Sequence, residues 1–146
     1  MKRRAASIPL ALVLSLGFIQ FTAAESGIAA EVLTCRSPQQ PKQIAQLLFG
    51  RNIGRKLGVS EAAWARFAGR EMIPRFPNGL MITEAIGQWR DTADGAIVRE
   101  PAKGVEIVLP GNDDDEARLD AIVTAYKREF RQHSVIVIVR SACVSF

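Results

Sequence analysis

The chain has 146 residues, with 19 Lys and Arg against 15 Asp and Glu and a formal net charge of +4. Three of the basic residues are Lys2, Arg3 and Arg4, and without them 16 basic side chains remain against 15 acidic ones, a net charge of +1. The basic balance therefore belongs largely to the N-terminal segment, and it predicts no binding to nucleic acid.

The N-terminal segment has the pattern of an export signal. The basic residues precede an apolar run, Ile8 to Phe21, that is too short and wrongly flanked for a membrane-spanning helix. Small residues at 22–24 predict cleavage before Glu25. We expect location in the periplasm or outside the cell, with no membrane attachment after cleavage; a retained membrane anchor is the alternative. The predicted parts are a signal peptide (1–24), an extended leader (25–41) and a single α+β domain (42–146).

Cys35 and Cys143 are the only cysteines, and they lie near opposite ends of the mature chain. In an exported protein, an even pair of cysteines is typical of a disulfide. Two separate buried thiols are the alternative.

The first half of the domain predicts a strand, a loop and a helix. Gln43–Phe49 is an apolar run of strand length, with Leu47 and Phe49 on one face. Residues 50–59 contain three glycines and three basic side chains, which is typical of a solvated, mobile loop. Ser60 is the expected N-cap of the helix. Its predicted buried stripe is Trp64, Phe67, Ala68 and Met72.

A hairpin follows the first helix. Its arms, Leu80–Arg90 and Ala96–Leu109, are joined by a turn that ends in Asp94-Gly95, a pair suited to a tight reversal. Pro101 cannot donate to a ladder and should mark a bulge or a change of pairing partner. We therefore expect Val105–Leu109 to lie in the main sheet, and residues 96–100 to pair with 88–90 as an extension beyond it.

The last third predicts a helix and a strand. Asn112 or Asp113 is the expected N-cap, and the acidic run after it complements the helix dipole. Ser134–Val139 is β-branched on both faces and predicts the last strand, which continues through residues 140–146. The predicted helical stripe is Leu119, Ile122, Val123, Tyr126 and Phe130.

The predicted order is strand, helix, strand, strand, helix, strand. This order predicts a ferredoxin-like α+β sandwich, with a four-stranded antiparallel sheet and both helices on one face. In that topology the first and last strands are antiparallel neighbours, so Cys35 and Cys143 should meet. The other face of the sheet would leave Ile136 and Ile138 exposed, which predicts a homodimer packed through it.

Several motifs are similar to those of an uncharacterised group of exported bacterial proteins, domain-of-unknown-function family 3574. The resemblance covers roughly residues 46–146 and implies a small secreted domain without an established activity. The matching motifs are Arg75-Phe76-Pro77-x-Gly79-Leu80, Gly87-Gln88-Trp89-Arg90, Arg99-Glu100-Pro101-x-Lys103, Tyr126-Lys127 with Phe130, and Ala142-Cys143-Val144-x-Phe146.

The hairpin region, residues 75–103, holds the densest set of unusual polar side chains. An arginine pair beside a carboxylate can hold an anionic ligand, and Glu100 would then act as a base. The alternative is an Arg–Glu network that ties the hairpin together, with Trp89 as an apolar plug. The candidate ligand-binding residues are Arg75, Gln88, Trp89, Arg90, Arg99, Glu100 and Lys103.

The sequence contains no complete catalytic constellation, metal site or cofactor loop, so we predict no catalytic residue, metal or cofactor. His133 is the only histidine and is expected at the surface. The preferred prediction is a non-enzymatic binding or interaction module that uses the hairpin surface, with a small anion or an envelope protein as its partner. The alternative is a small acid–base enzyme with Glu100 as base and Arg75, Arg90 and Arg99 binding the anion.

Overall fold

The structure is a computed structural model and describes residues 33–146. The predicted signal peptide and residues 25–32 of the predicted leader lie outside these residues. No helix in the described part of the chain combines the length and the apolar character needed to span a bilayer. The strands are β1 (Gln40–Gly50), β2 (Asn52–Ile53), β3 (Lys56–Leu57), β4 (Met81–Arg90), β5 (Ile97–Val108) and β6 (Ile136–Val144). The helices are α1 (Glu61–Phe67), which continues into a π-helical turn (Ala68–Met72), and α2 (Asp115–Phe130).

The four long strands form one antiparallel sheet in the order β4-β5-β1-β6. Both helices pack on the face that carries Ala45, Leu47 and Phe49 of β1. We call this the helical face, and the opposite side the open face. The predicted ferredoxin-like α+β sandwich is therefore confirmed.

Aromatic side chains fill the centre of the core. The ring centroid of Phe49 lies 5.1 Å from that of Trp64 and 4.8 Å from that of Tyr126, both edge to face. Phe67 lies 5.1 Å from Tyr126 and 5.7 Å from Phe130. Edge-to-face pairs contribute about 0.5 to 1.5 kcal/mol each beyond the apolar area they bury. These residues hold both helices to β1, as their helical spacing predicts.

Local capping agrees with the sequence at α1 and differs at α2. The Ser60 hydroxyl accepts a hydrogen bond from the Ala63 backbone N–H at 3.2 Å, as predicted. At α2, the N-cap is Asp114 rather than Asn112 or Asp113. The carboxylate of Asp115 turns back to accept hydrogen bonds from the backbone N–H groups of Gly111 and Asn112, at 2.8 and 3.0 Å. That side chain stabilises the preceding turn, so the helix begins one or two residues later than expected.

Two strand predictions need correction in detail. β1 begins at Gln40, three residues earlier than predicted and inside the expected leader. Residues 50–59 contain the small β2–β3 hairpin, and their Arg51 side chain is buried rather than solvated. By contrast, Ile97–Glu100 pair with β4 beyond the end of β1, as predicted. β5 passes through Pro101 as a continuous strand, and its pairing with β1 starts at the next residue, Ala102.

The open face of the sheet leaves apolar side chains in contact with solvent. Ile136 and Ile138 are 55% and 42% exposed, which confirms the prediction for these residues. Val137 and Val139 on the other face of β6 are also exposed because β6 is an edge strand. The homodimer expected from this surface stays a prediction.

Cys35 and Cys143 form a disulfide, with their Cα atoms 5.5 Å apart. The register explains the pairing, because Pro41 lies opposite Cys143 where β1 begins and β6 ends. The bond closes a loop with a sequence separation of 108.

Removing this covalent link should destabilise the domain. For a loop of this length, the double substitution Cys35→Ser/Cys143→Ser should lower the free energy of unfolding by about 3 to 5 kcal/mol, because the unfolded chain regains freedom. Urea unfolding of the wild type and the variant measures the difference, and the reduced wild type should match the variant. Equal stability of the oxidised wild type and the variant would contradict the expectation.

Candidate functional site

The hairpin of β4 and β5 extends past the end of β1. β1 stops pairing with β5 at Gly50, opposite Ala102, whereas β4 and β5 continue together to Arg90 and Ile97. The turn that joins them has the expected tight reversal, with Gly95 at φ +73°. The extension is therefore a two-stranded arm that projects beyond the centre of the sheet.

Strand alternation divides the predicted site residues between the two faces of this arm. Lys103 lies opposite Phe49 and Glu84 on the helical face. Side chains two residues apart on a strand share a face. Pro101 and Arg99 therefore lie on the helical face with Lys103, and so does Gln88, which pairs with Arg99. Glu100 and Trp89 belong to the open face. The seven predicted residues thus do not form one surface.

The three arginines of the predicted anion clamp each have a local partner. Arg75 donates to the Glu71 carboxylate at 2.9 Å and to the Glu71 backbone carbonyl. Arg90 Nη1 donates to the Gly95 carbonyl at 3.0 Å, and Arg99 Nε donates to Gln88 Oε1 at 2.8 Å. The structure does not bring these side chains to Glu100, so the arrangement expected for an acid–base enzyme is not assembled.

Lys103 is part of a charged network beneath the arm. Its side chain is 4% exposed, and its ammonium group contacts the carboxylates of Glu84 and Glu61, the latter at 2.7 Å. Glu61 also pairs with the buried Arg51, whose Nε donates to the Val59 carbonyl at 2.9 Å. The hydrogen bond from Lys103, with help from Arg51, lowers the pKa of Glu61. This network fixes the start of α1 to the sheet.

A second charged contact holds the tip of the arm. Arg55, in the turn between β2 and β3, donates to the carboxylates of Asp91 and Asp94 at 2.8 and 2.6 Å. The pKa of Asp91 is lowered by a hydrogen bond from the Ala93 backbone N–H and then by Arg55. This contact ties the tip of the arm to the β2–β3 turn, and it is a different contact from the Arg–Glu network expected within the hairpin.

Glu100 occupies the space above the last residue of β1. Its Oε1 accepts a hydrogen bond from the Asn52 backbone N–H at 2.6 Å. A Cβ atom built on Gly50 would lie 2.7 Å from the same oxygen, so a larger residue there would make the carboxylate move from its present position. On the helical face, the Tyr126 hydroxyl donates to the Gly50 carbonyl at 2.8 Å. Burial, and then the nearby charge of Glu100, raise the pKa of Tyr126.

The open face carries a groove of about 740 Å³ at the base of the arm. Glu100 lies among small residues there, and Trp89 lies beside them with 45% of its surface exposed. The opposite side consists of the loop between α2 and β6. The lining residues are Leu48, Gly50, Asn52, Gly54, Ala85, Ile86, Gly87, Gln88, Trp89, Glu100, Ala102, Arg131, Gln132, His133, Ser134 and Ile136.

The loop that forms one side of the groove was not predicted from the sequence. Residues 131–134 follow α2, and Arg131 ends the helix in the left-handed conformation at φ 54°. Gln132 Nε2 then donates to the Asn52 carbonyl at 2.6 Å, which places the loop beside the end of β1. His133 is exposed, as predicted, but it lies at the rim of the groove. These residues lie near Glu100 only because the fold places the loop there, so no local sequence pattern indicates them.

Among residues 33–146, no group of three or more His, Cys, Asp or Glu side chains is arranged to hold a metal ion. The lining of the groove includes one carboxylate, that of Glu100, and one imidazole, that of His133.

Strand order, helix placement and the grooved open face define a disulfide-linked ferredoxin-like domain. Residues 44–146 match the sequence model of DUF3574, described as a protein of unknown function. The chain belongs to this family. No curated protein matches the sequence.

Solved structures with a similar fold include a phage SAM lyase. Its complex with S-methyl-5′-thioadenosine has a TM-score of 0.56 and 18% sequence identity, covering 72% of this chain and 90% of that chain. The apo state of the lyase has a TM-score of 0.53 at 18% identity, covering 79% and 98%. CutA from Synechococcus elongatus has a TM-score of 0.46 at 14% identity, covering 70% and 78%. At these identities the lyase structures show the fold alone.

The Lys103 network gives a prediction about acid stability. The pKa of Glu61 in the folded protein lies below its usual value of 4.5, so the contribution of this group is present above that value and is lost as the pH falls through the folded pKa. Lys103→Met removes the main cause of the shift. The variant should be less stable than the wild type at neutral pH, and the difference should shrink at about pH 3.

Urea unfolding at both pH values measures this effect. Lys127→Met is the matched control, because Lys127 is exposed on α2 and none of the ion pairs formed within residues 33–146 includes it. If the free energy of unfolding of Lys103→Met is lower than that of the wild type by the same amount at both pH values, the result contradicts a role for Glu61.

Proposed function

We propose that this protein is a non-enzymatic binding module of the cell envelope or the extracellular space, and that its ligand site is the groove on the open face. The observation that carries this proposal is the groove itself. A volume of about 740 Å³ falls within the range of about 300 to 1,000 Å³ that small-molecule sites occupy. A floor of small residues beside one aromatic and one carboxylate side chain is also typical of such sites.

The arrangement of Glu100 supports binding rather than acid–base chemistry. Its Oε1 is occupied by the Asn52 N–H, and the arginines expected to fix a substrate beside it have other partners. A general base needs a substrate held within hydrogen-bond reach, and usually a proton donor placed with it. Ligand binding needs fewer placed groups than acid–base catalysis does, and a carboxylate held in position in an open groove can provide it.

The disulfide supports the proposed location. Structural disulfides persist in oxidising compartments and are rare in the reducing cytosol. The link between Cys35 and Cys143 therefore fits export, in agreement with the basic and apolar pattern of the first 24 residues.

A thermal-shift screen of the disulfide-linked protein tests the proposal. The probes should include small anions, small cations, neutral compounds, envelope fragments, and S-methyl-5′-thioadenosine because a lyase of similar fold was solved with it. Each hit is then tested on Gly87→Leu. Gly87 lies in the groove and has only ordinary contacts at the position of a new Cβ, so leucine should fill the groove without disturbing the strand. We expect this variant to keep its stability and lose at least about tenfold in affinity, a change of about 1.4 kcal/mol.

Gly69→Leu is the matched control. Gly69 lies in the π-helical turn after α1, and nothing lies within 4 Å of a Cβ built there. This variant should bind every hit as the wild type does. Hits that bind Gly87→Leu unchanged would place the site elsewhere. Turnover of a hit that is abolished by Glu100→Gln, with SAM tested among the substrates, would favour an enzyme instead.

A further inference from the structure

We propose that the ligand of the groove carries a positively charged group, such as an ammonium, which binds between the Glu100 carboxylate and the Trp89 indole. This inference rests on the proposed function, because it concerns the same groove. It reverses the ligand charge expected from the sequence, where the arginines of the hairpin indicated an anion.

The space beside Glu100 comes from two glycines. Gly87 of β4 lies directly opposite Glu100, and Gly50 ends the neighbouring strand on the other side. The Glu100 carboxylate itself fills the space over Gly50, whereas the space over Gly87 has only ordinary contacts. At Gly87, a Cβ atom would lie 3.7 Å from Trp89 Cζ3 and 3.8 Å from the Glu100 carbonyl oxygen. The space over Gly87 is therefore bordered by the indole ring and by the backbone of Glu100, and both residues line the groove.

Glu100 has no cationic partner among residues 33–146. None of the salt bridges formed within residues 33–146 includes it, whereas Glu61, Glu71, Glu84 and Glu106 each pair with Lys or Arg. One oxygen of Glu100 accepts the Asn52 N–H, and the other has no hydrogen-bond partner in the described part of the chain. A partly buried carboxylate gains most from an opposite charge that arrives with a ligand.

Trp89 provides the second contact that a cation prefers. Its backbone pairs with Val98, so its side chain is the diagonal neighbour of Glu100 on the open face. The face of an indole ring attracts ammonium groups through its negative quadrupole, by about 0.5 to 2 kcal/mol depending on how far the group is desolvated. Trp89 is 45% exposed, so part of its ring is accessible to a ligand. An indole and a carboxylate on adjacent strands together favour a cation.

The basic residues of the groove are placed at its rim. Arg131 and His133 both belong to the exposed loop after α2, on the side opposite to Trp89. Water and salt screen exposed charges strongly, whereas a charge on the floor of a groove is screened less. Because Glu100 is partly buried and Arg131 is exposed, the charge of Glu100 is screened less than that of Arg131.

Two probes of the same shape and different charge test the proposal. Choline carries a trimethylammonium group, and 3,3-dimethylbutan-1-ol is its neutral counterpart. Each is titrated into the disulfide-linked protein while the NMR shifts of the Gly50 and Gly87 amides and the Trp89 indole N–H are followed. Choline should bind at least about tenfold more tightly than the neutral probe. Inorganic phosphate is titrated as the anionic comparison.

Glu100→Gln isolates the charge. The glutamine side chain keeps an oxygen that can accept the Asn52 N–H, so the fold should be retained while the preference for choline disappears. Glu106→Gln is the control, since Glu106 lies on the open face outside the groove and pairs with Arg140. That variant should keep the preference.

The outcomes separate the two proposals. Equal binding of the two probes at the groove, or stronger binding of phosphate, would overturn the cationic ligand and leave the binding site in place. A preference for choline that survives in Glu100→Gln would also overturn the role of Glu100. If neither probe nor phosphate moves the groove signals, and no hit of the wider screen depends on Gly87, both proposals fail.

Discussion

The end of β1 at Gly50 is the constraint on which the site depends. The carbonyl of this residue accepts the Tyr126 hydroxyl on the helical face, while the Glu100 carboxylate covers its Cα on the open face. A side chain at this position would displace the carboxylate, so the glycine at the end of the central strand allows Glu100 to reach the Asn52 amide in its present conformation. The same ending leaves the β4–β5 arm without a third strand, and that missing strand opens the groove. Core, arm and groove thus meet at one residue.

Successive side chains of the arm point to opposite faces, so the two faces carry different sets of residues. The helical face carries Lys103 and the Arg99–Gln88 pair, whose polar groups are satisfied within the chain. The open face carries Glu100 and Trp89, which are left available. Charged residues that lie close together in the sequence therefore belong to two separate environments. The polar contacts on the helical face stabilise the arm, and the opposite face of the same strands carries the proposed ligand site.

The fold could be predicted from the sequence because its causes are periodic or local. Trp64 and Phe67 follow a helical spacing, Ser60 is a strong cap, and the two cysteines meet only if the outer ends of β1 and β6 are neighbours. The site was predicted in part. Glu100 and Trp89 were included, but adjacent residues of a strand point to opposite faces, so Arg99 and Glu100 could not form one clamp. The burial of Arg51 and the approach of residues 131–134 depend on tertiary packing, and no local pattern indicates either.

The disulfide turns residues 35–143 into a closed covalent ring from which both chain termini depart at one place. That place is the start of β1, whereas the groove lies at its far end. At about 3.3 Å per residue, the strand from Gln40 to Gly50 separates the two by about 33 Å. A tether, a fusion or a neighbouring domain attached at either terminus would therefore leave the groove facing away from its attachment. The proposed ligand site therefore lies at the end of the domain opposite to the disulfide.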